Sequence, residues 1–274
     1  MRISISNIAW SPDADPTVAA LLAKHRIDAI DVAPSKYFPD VATAQPDGIA
    51  TVRQQWADRG IEIVGMQALL FGTQGLNLFG EPAIRDRMLD HLRQVCRIAQ
   101  GLGARFLVFG SPRNRDRSGL DDDAVLDTAC AFFRELGEIA AGHGAIICLE
   151  PNPTAYNANF MTDAGSTAAI VRAVDRPAIR LQLDGGALML NGEDADAVLA
   201  AHGDLVAHIH ASEPHLAVLG DSGTDHGPIS AAIRQYCPDR IVTIEMLEDK
   251  TAPIDAIDRA LAFANRAYAD AADE

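Results

Sequence analysis

Four short stretches of this 274-residue sequence each close an apolar run on a side chain able to ligate a metal. They are Ile147-Cys148-Leu149-Glu150, Leu181-Gln182-Leu183-Asp184, His208-Ile209-His210 and Thr243-Ile244-Glu245. Positions 150, 184, 210 and 245 lie 34, 26 and 35 residues apart, each close to one strand-plus-helix unit. A single strand-terminal carboxylate often only caps the next helix or pairs with a lysine. Four ligand-grade side chains at the same relative position form a different pattern. On adjacent strands the three carboxylates would converge and raise one another's pKa, a cost that a divalent cation relieves. Oxygen-rich ligation with one imidazole suits Mn²⁺ first and Mg²⁺ next, and admits Co²⁺, Fe²⁺ or Zn²⁺. The competing reading is a metal-free polar cluster.

The elements that must position these residues are legible in the apolar pattern. Eight β-rich runs stand at Ile3–Ile8, Ala29–Val32, Glu62–Met66, Phe106–Phe109, Ile146–Leu149, Ile179–Leu183, Leu205–Ile209 and Ile241–Ile244. Most are continuously apolar, as parallel strands buried on both faces are. Helical segments alternate with them, over Pro16–His25, Ile49–Arg59, Glu81–Gly103, Asp121–Gly142, Ala164–Val174, Asp194–His202, Ile229–Tyr236 and Ile254–Tyr268. Eight such units in a chain of this length predict a single α/β domain over 1–274, a (β/α)8 TIM barrel. A doubly wound sheet is the alternative, but Ser6-Asn7-Ile8-Ala9-Trp10 stands where a Gly-rich phosphate loop would follow the first strand. In a parallel barrel the carboxyl ends of all strands share one mouth, where chemistry is done. His208 shares a strand face with His210 but sits one layer deeper, and reads as a core or supporting histidine.

Composition narrows the function classes. A formal charge of −15 repels a phosphate backbone and an anionic membrane surface, so no nucleic-acid or membrane partner is expected. Cys96, Cys130, Cys148 and Cys237 form no CxxC pair, which argues against a disulfide framework or structural zinc and fits a reducing, cytoplasmic setting. The N-terminal residues lack a signal-peptide core, and no apolar run has transmembrane length.

At the tetrad the sequence resembles a known family. Glu150 in CLEPNP, Asp184 in LQLDGG, His210 in HIHASE and Glu245 in TIEM are similar to the metal ligands of the xylose-isomerase-like TIM barrels. Within that family the resemblance is to the sugar epimerase/isomerase group that includes the D-tagatose and D-psicose 3-epimerases. It implies a bound divalent metal, a carbohydrate substrate and a dimer or tetramer. It also implies that Glu150 and Glu245 remove and return the proton beside a carbonyl. Three positions depart from the epimerase pattern. Ala187, Leu216 and Tyr156 replace a His, an Arg and a Glu that hold the reacting end of a ketose there. The scaffold also resembles inosose dehydratases and other lyases, which makes a metal-dependent lyase the runner-up. An apurinic-site endonuclease would need more histidine ligands and a DNA-binding surface. A non-catalytic binding protein would leave an intact tetrad without use.

Other residues near the strand ends are candidates for holding a substrate. Trp10 stacks on a sugar face or packs at the rim, two readings of equal weight. Asn152, Tyr156 and Asn157 are placed to hydrogen-bond hydroxyls, Gln67, Glu213 and His215 follow strand ends where they can shape the substrate pocket, and Asn7, Lys36 and His226 lie on neighbouring loops. Arg113, Arg115 and Arg117 form a cluster able to take a phosphate or carboxylate, although a solvated loop is the preferred reading. Gly185-Gly186 is expected to let backbone approach the metal or ligand closely.

Overall fold

The computed structural model describes residues 1–269. Eight parallel strands close into a barrel in chain order: β1 Ile3–Ser6, β2 Ala29–Val32, β3 Glu62–Met66, β4 Phe106–Phe109, β5 Ile146–Leu149, β6 Ile179–Asp184, β7 Val206–Ser212 and β8 Val242–Glu245. The first helices around it are α1 Asp15–Lys24, α2 Pro34–Tyr37, α3 Pro46–Ala57, α4 Pro82–Leu102 and α5 Asp122–Gly142. The ring is completed by α6 Ala164–Val174, α7 Gly185–Asn191, α8 Ala195–His202, α9 Gly227–Tyr236 and α10 Pro253–Tyr268. The chain is therefore a (β/α)8 barrel.

Local chemistry sets the element ends. α4 buries Met88, Leu92, Val95 and Ala99 on one stripe and stops at Gly103, whose φ of 83° is the left-handed closure that glycine adopts without strain. At α5 the Asp121 carboxylate accepts from the Ala124 amide and caps the helix. Four strand ranges differ from the pattern-based reading. β1 stops at Ser6 because its hydroxyl accepts from the Ile8 amide and turns Asn7–Ala9 into a 3₁₀ turn. β6 gains Asp184, β8 runs from Val242 to Glu245, and β7 begins one residue later and extends through Ser212. The short helices α2 and α7 were not foreseen, being under two turns long.

Barrel interiors are mostly filled by branched apolar side chains. Here one layer is polar. Ser4, Asp31, Gln182, His208 and Thr243 are all fully buried. His208 Nε2 lies 3.1 Å from Asp31 Oδ2 and 3.1 Å from Thr243 Oγ1, and its Nδ1 lies 3.2 Å from the Gln182 amide. The Ser4 hydroxyl donates to Asp31 at 3.4 Å. β2 and β7 are not neighbours in the barrel, so Asp31 and His208 meet across its interior. Gly65 makes room for them, because a Cβ there would lie 2.5 Å from Asp31 Oδ2.

Candidate metal centre and active site

The carboxyl ends of β5–β8 bring four side chains together directly above this layer. One ligand atom each from Glu150, Asp184, His210 and Glu245 falls within 4.8 Å of all the others, and all four residues are buried. His210 Nδ1 is the centre of the group. It lies 3.0 Å from Glu150 Oε1, 3.1 Å from Glu245 Oε2 and 3.8 Å from Asp184 Oδ2. Register sets the approach: Asp184 is level with His210, and Glu245 with Ser212, two residues farther along β7. Glu150 follows β5, and its Oε2 occupies space over Gly110 where a Cβ would sit only 1.9 Å away. Any side chain at 110 would expel this carboxylate from its place.

Asp184 does two jobs. Its Oδ1 accepts from the Ala187 amide at 2.6 Å and caps α7, while Oδ2 accepts from the Ser212 hydroxyl at 2.7 Å and faces His210. Oδ1 thus caps the helix, and Oδ2 stays on the side of the buried group. Gly185-Gly186 departs from expectation. At Gly186 a Cβ would lie 2.9 Å from the Glu213 carbonyl oxygen, so the glycine admits the backbone after β7 and not a ligand. The Gly186 amide also donates to Ser212 Oγ at 2.8 Å.

The donor set fits a cation. Glu150 Oε1 and His210 Nδ1 lie close without hydrogen-bond geometry, and His210 Nε2 is buried with no partner, although such groups are rarely left unmatched. Burial pushes Asp184 up to about 8, reinforced by the negative charges of Glu150 and Glu245. His210 is buried too, which alone would lower its pKa, but the surrounding Glu245 and Glu150 carboxylates hold it well above the usual histidine range. Burial would raise Glu245, yet its contact with His210 and its hydrogen bonds outweigh that and lower it. A divalent ion would replace the protons that now balance this crowding.

The substrate-side candidates separate into two groups. Gln67 is buried, and its Nε2 donates to Glu245 Oε1 at 2.6 Å, leaving its own Oε1 without a partner. Asn152 Nδ2 reaches Glu150 Oε2 at 3.4 Å. Tyr156 and His215 meet at the mouth: the Tyr156 hydroxyl accepts from the His215 amide at 2.8 Å, and the rings cross edge to face at 5.7 Å. The Tyr156 hydroxyl is raised by burial and by the nearby charges of Asp184, Glu245 and Glu150.

Trp10 and Glu213 belong to the other group. Trp10 is only 1% exposed, donates from Nε1 to Asp15 at 2.7 Å and meets Trp56 edge to face, so it packs and offers no face to a sugar. Glu213 is fully buried and accepts from the Gly220 amide, the Thr224 hydroxyl and His226 Nε2, while His226 Nδ1 lies 2.5 Å from Tyr268 Oη. It is a strut for the loop after β7. Asn7 likewise spends its Oδ1 on the Ala33 amide.

The arginine cluster divides. Arg117 pairs with Asp122 and Leu120, and Arg113 donates to the Thr73 carbonyl. Arg115 is 1% exposed, donates from Nη2 to Asn152 Oδ1 at 2.6 Å and keeps Nε and Nη1 unpartnered. Burial lowers its pKa to about 10, against the opposing pull of Glu150. Asp31 was missed by sequence reasoning; the signal was a lone carboxylate inside the apolar strand Ala29–Val32.

A cleft of about 690 Å³ opens from Glu150, Glu245 and Gln67 toward the loops after β3, β4, β7 and β8. On its walls Ala68, with φ 53°, and Leu216, with φ 53° next to His215 at 60°, hold left-handed backbone conformations that cost non-glycine residues about 1–3 kcal/mol each.

A sequence model of the family described as "Xylose isomerase-like TIM barrel" matches residues 19–267. No curated protein matches the sequence. Among solved structures, a D-psicose 3-epimerase crystallised in the presence of D-fructose is similar at 18% identity and TM-score 0.82, over 98% of this chain and 100% of that one. D-psicose 3-epimerase from Clostridium cellulolyticum H10 follows at 16% identity and TM-score 0.81, over 97% and 99%. 3-Keto-D-glucoside 4-epimerase from E. coli is similar at 16% identity and TM-score 0.80, over 97% and 99%. Likeness at this identity shows a common fold, and these structural neighbours are sugar epimerases.

Proposed function

The chain belongs to the xylose isomerase-like TIM barrel family, and from that premise we propose that it is a divalent-metal-dependent sugar or keto-sugar epimerase/isomerase. The observation that carries the reading is the buried tetrad, with Glu150 and Glu245 both within about 3 Å of one nitrogen of His210. Glu150, Asp184, His210 and Glu245 would hold the metal, with Mn²⁺ favoured by the three carboxylates and single imidazole. When bound, such an ion stabilises the negative charge that develops on a carbonyl oxygen as the adjacent C–H loses its proton. Glu150 and Glu245 are the acid/base pair: one takes the proton from the carbon beside the carbonyl, and the other supplies a proton to the opposite face.

Gln67 orients Glu245 through its amide, and its free Oε1 can accept from a substrate hydroxyl. Asn152, its Oδ1 held by Arg115, orients Glu150 through its amide nitrogen. Tyr156 and His215 close the mouth on the β5 and β7 side. The substrate is a small carbohydrate, and a dimer or tetramer is the proposed assembly. No helix among the described residues is long and apolar enough to cross a membrane. Four buried, unpaired cysteines support a reducing compartment such as the cytoplasm.

Metal analysis of the purified protein beside Asp184→Ala, with proton-exchange NMR in D₂O against ketoses, keto-inositols and 3-keto-glycosides, tests the reading. The expected result is about one equivalent of metal, lost in the variant, and exchange at a carbon next to a carbonyl on at least one panel member. Wild-type protein that takes up no divalent metal would overturn it.

A further inference from the structure

We propose that the substrate of this site is a carbohydrate bearing an apolar, non-sugar group, and that this group lies between the β3–α4 loop and the loops after β7 and β8. The inference rests on the epimerase/isomerase reading of the tetrad and adds the substrate class. A bare hexose has about a dozen heavy atoms, whereas a cleft of about 690 Å³ falls among those that enclose drug-sized ligands, ~300–1,000 Å³.

The lining changes character with distance from the tetrad. Its floor is Glu150, Glu245 and Gln67, and farther out the walls carry Leu70, Phe71, Val108, Leu216 and Leu247. Phe71 and Leu247 are 73% and 54% exposed, and of the large apolar residues among the described ones they are the most exposed. Both line the same cleft, a placement that marks a binding surface. β3 and β7 stand opposite each other around the barrel, so Leu70 and Phe71 face Leu216 across the mouth.

Both walls are held in place at a cost. Left-handed backbone at Ala68 leads into the Leu69–Phe71 segment, and at His215–Leu216 it presents Leu216, whose carbonyl accepts from the Leu247 amide at 3.0 Å. The two cations on the cleft edge do not mark it for an anion. Lys36 donates to the Ile8 and Trp10 carbonyls and Arg113 to the Thr73 carbonyl. An aryl group is the occupant that two apolar walls continuous with a carbohydrate-binding floor recognise best.

The test is calorimetric titration of the Mn²⁺-loaded protein with methyl and phenyl glucosides, which lack the ketone and so do not turn over. The phenyl glucoside should bind at least ~10-fold more tightly. In Phe71→Ala/Leu247→Ala that ratio should fall toward one, with metal content and melting temperature retained. Equal affinities, or no measurable binding of either glycoside, would overturn the inference. So would a double variant that keeps the preference, or one that only converts an oligomer to monomer and thereby marks the patch as a contact between copies of this chain. Proton exchange in D₂O is the separate readout for the underlying function. Exchange on free ketoses without an aryl preference removes this inference alone, and an aryl preference without exchange on any panel member removes the epimerase reading alone.

Discussion

The two halves of the barrel mouth are built from the same strand–helix unit and do opposite things. On β5–β8 the strand ends deliver Glu150, Asp184, His210 and Glu245 into one buried group. On β2–β4 the corresponding ends lead to Ala33, Gln67, Val108 and Phe109, and only Gln67 reaches across, to Glu245. The strand ends of β5–β8 are over-supplied with charge and short of partners, whereas the apolar side chains of the open cleft come from the β3 and β4 side and from Leu216 and Leu247, farther out on the loops after β7 and β8. The contrast assigns chemistry to the buried strand ends of β5–β8 and selection to the apolar outer wall. Substitutions at those strand ends should act on metal occupancy and turnover, and those at Phe71, Leu216 and Leu247 on which substrate binds.

The sharpest way to break that division is at the two glutamates. Glu150→Gln and Glu245→Gln are each expected to lower the exchange rate by ~10²–10⁴-fold, the usual contribution of a positioned acid or base. Both should do so at metal occupancy brought to saturation, read by exchange NMR. Full exchange in either variant would leave only one carboxylate in the chemistry and sink the two-base mechanism.

The next effect is on metal affinity as pH changes. Asp184 is held up to about 8 in the metal-free protein, so below that pH a cation must displace its proton. Affinity should therefore rise with pH by up to about tenfold per unit for each displaced proton, and keep rising above about 8 because His210, also held above its usual range, must give up its proton as well. The same raised pKa has a consequence for stability without metal. A group that binds its proton more tightly when folded stabilises the fold fully below its unfolded value, and loses that contribution as pH rises through the folded value. Metal-free protein should thus lose melting temperature toward pH 8, and metal should restore it. Chelator competition and thermal melts across pH 6–9 read both, and a flat affinity profile would remove Asp184 from the ligand set.

Much of this division was open to reading before any coordinates. The limits of β2, β3, β4 and β5 follow directly from their apolar runs, and the four ligand-grade residues stand out because each ends an apolar stretch of sequence about one strand–helix unit after the last. Other features depend on contacts between residues distant in the chain. The polar layer below the tetrad was hidden because Asp31 and His208 are on strands that meet only across the barrel interior. Trp10 and Glu213 looked available from their positions after β1 and β7, yet Trp56, remote in sequence, packs on the first, and His226, farther along the same loop, holds the second. Arg115 was indistinguishable from Arg113 and Arg117 until a 3₁₀ turn over Pro112–Arg115 directed it inward to Asn152.

A smaller effect is expected one layer down. Asp31 and His208 lie close to His210 but engage each other and make no hydrogen bond to its ring, so they act on it through charge and packing. Asp31→Asn keeps the shape, removes the charge and should weaken metal binding by no more than about tenfold, the low end for residues hydrogen-bonded to a metal-bound histidine. Unchanged affinity together with a lowered melting temperature would reduce the layer to barrel filling.

The smallest effect separates packing from recognition at the edge of the apolar half. Trp10→Phe removes the indole N–H that donates to Asp15 at 2.7 Å while keeping an aromatic ring against Trp56. Loss of a hydrogen bond to a charged group costs about 1.5–3 kcal/mol, which denaturant unfolding resolves. Because Trp10 is buried and turned away from the cleft, KM and kcat should be unaltered. A raised KM with unchanged stability would mean that the indole reaches the substrate after all. The β1 end would then join the selecting surface, and the boundary between the two halves would move.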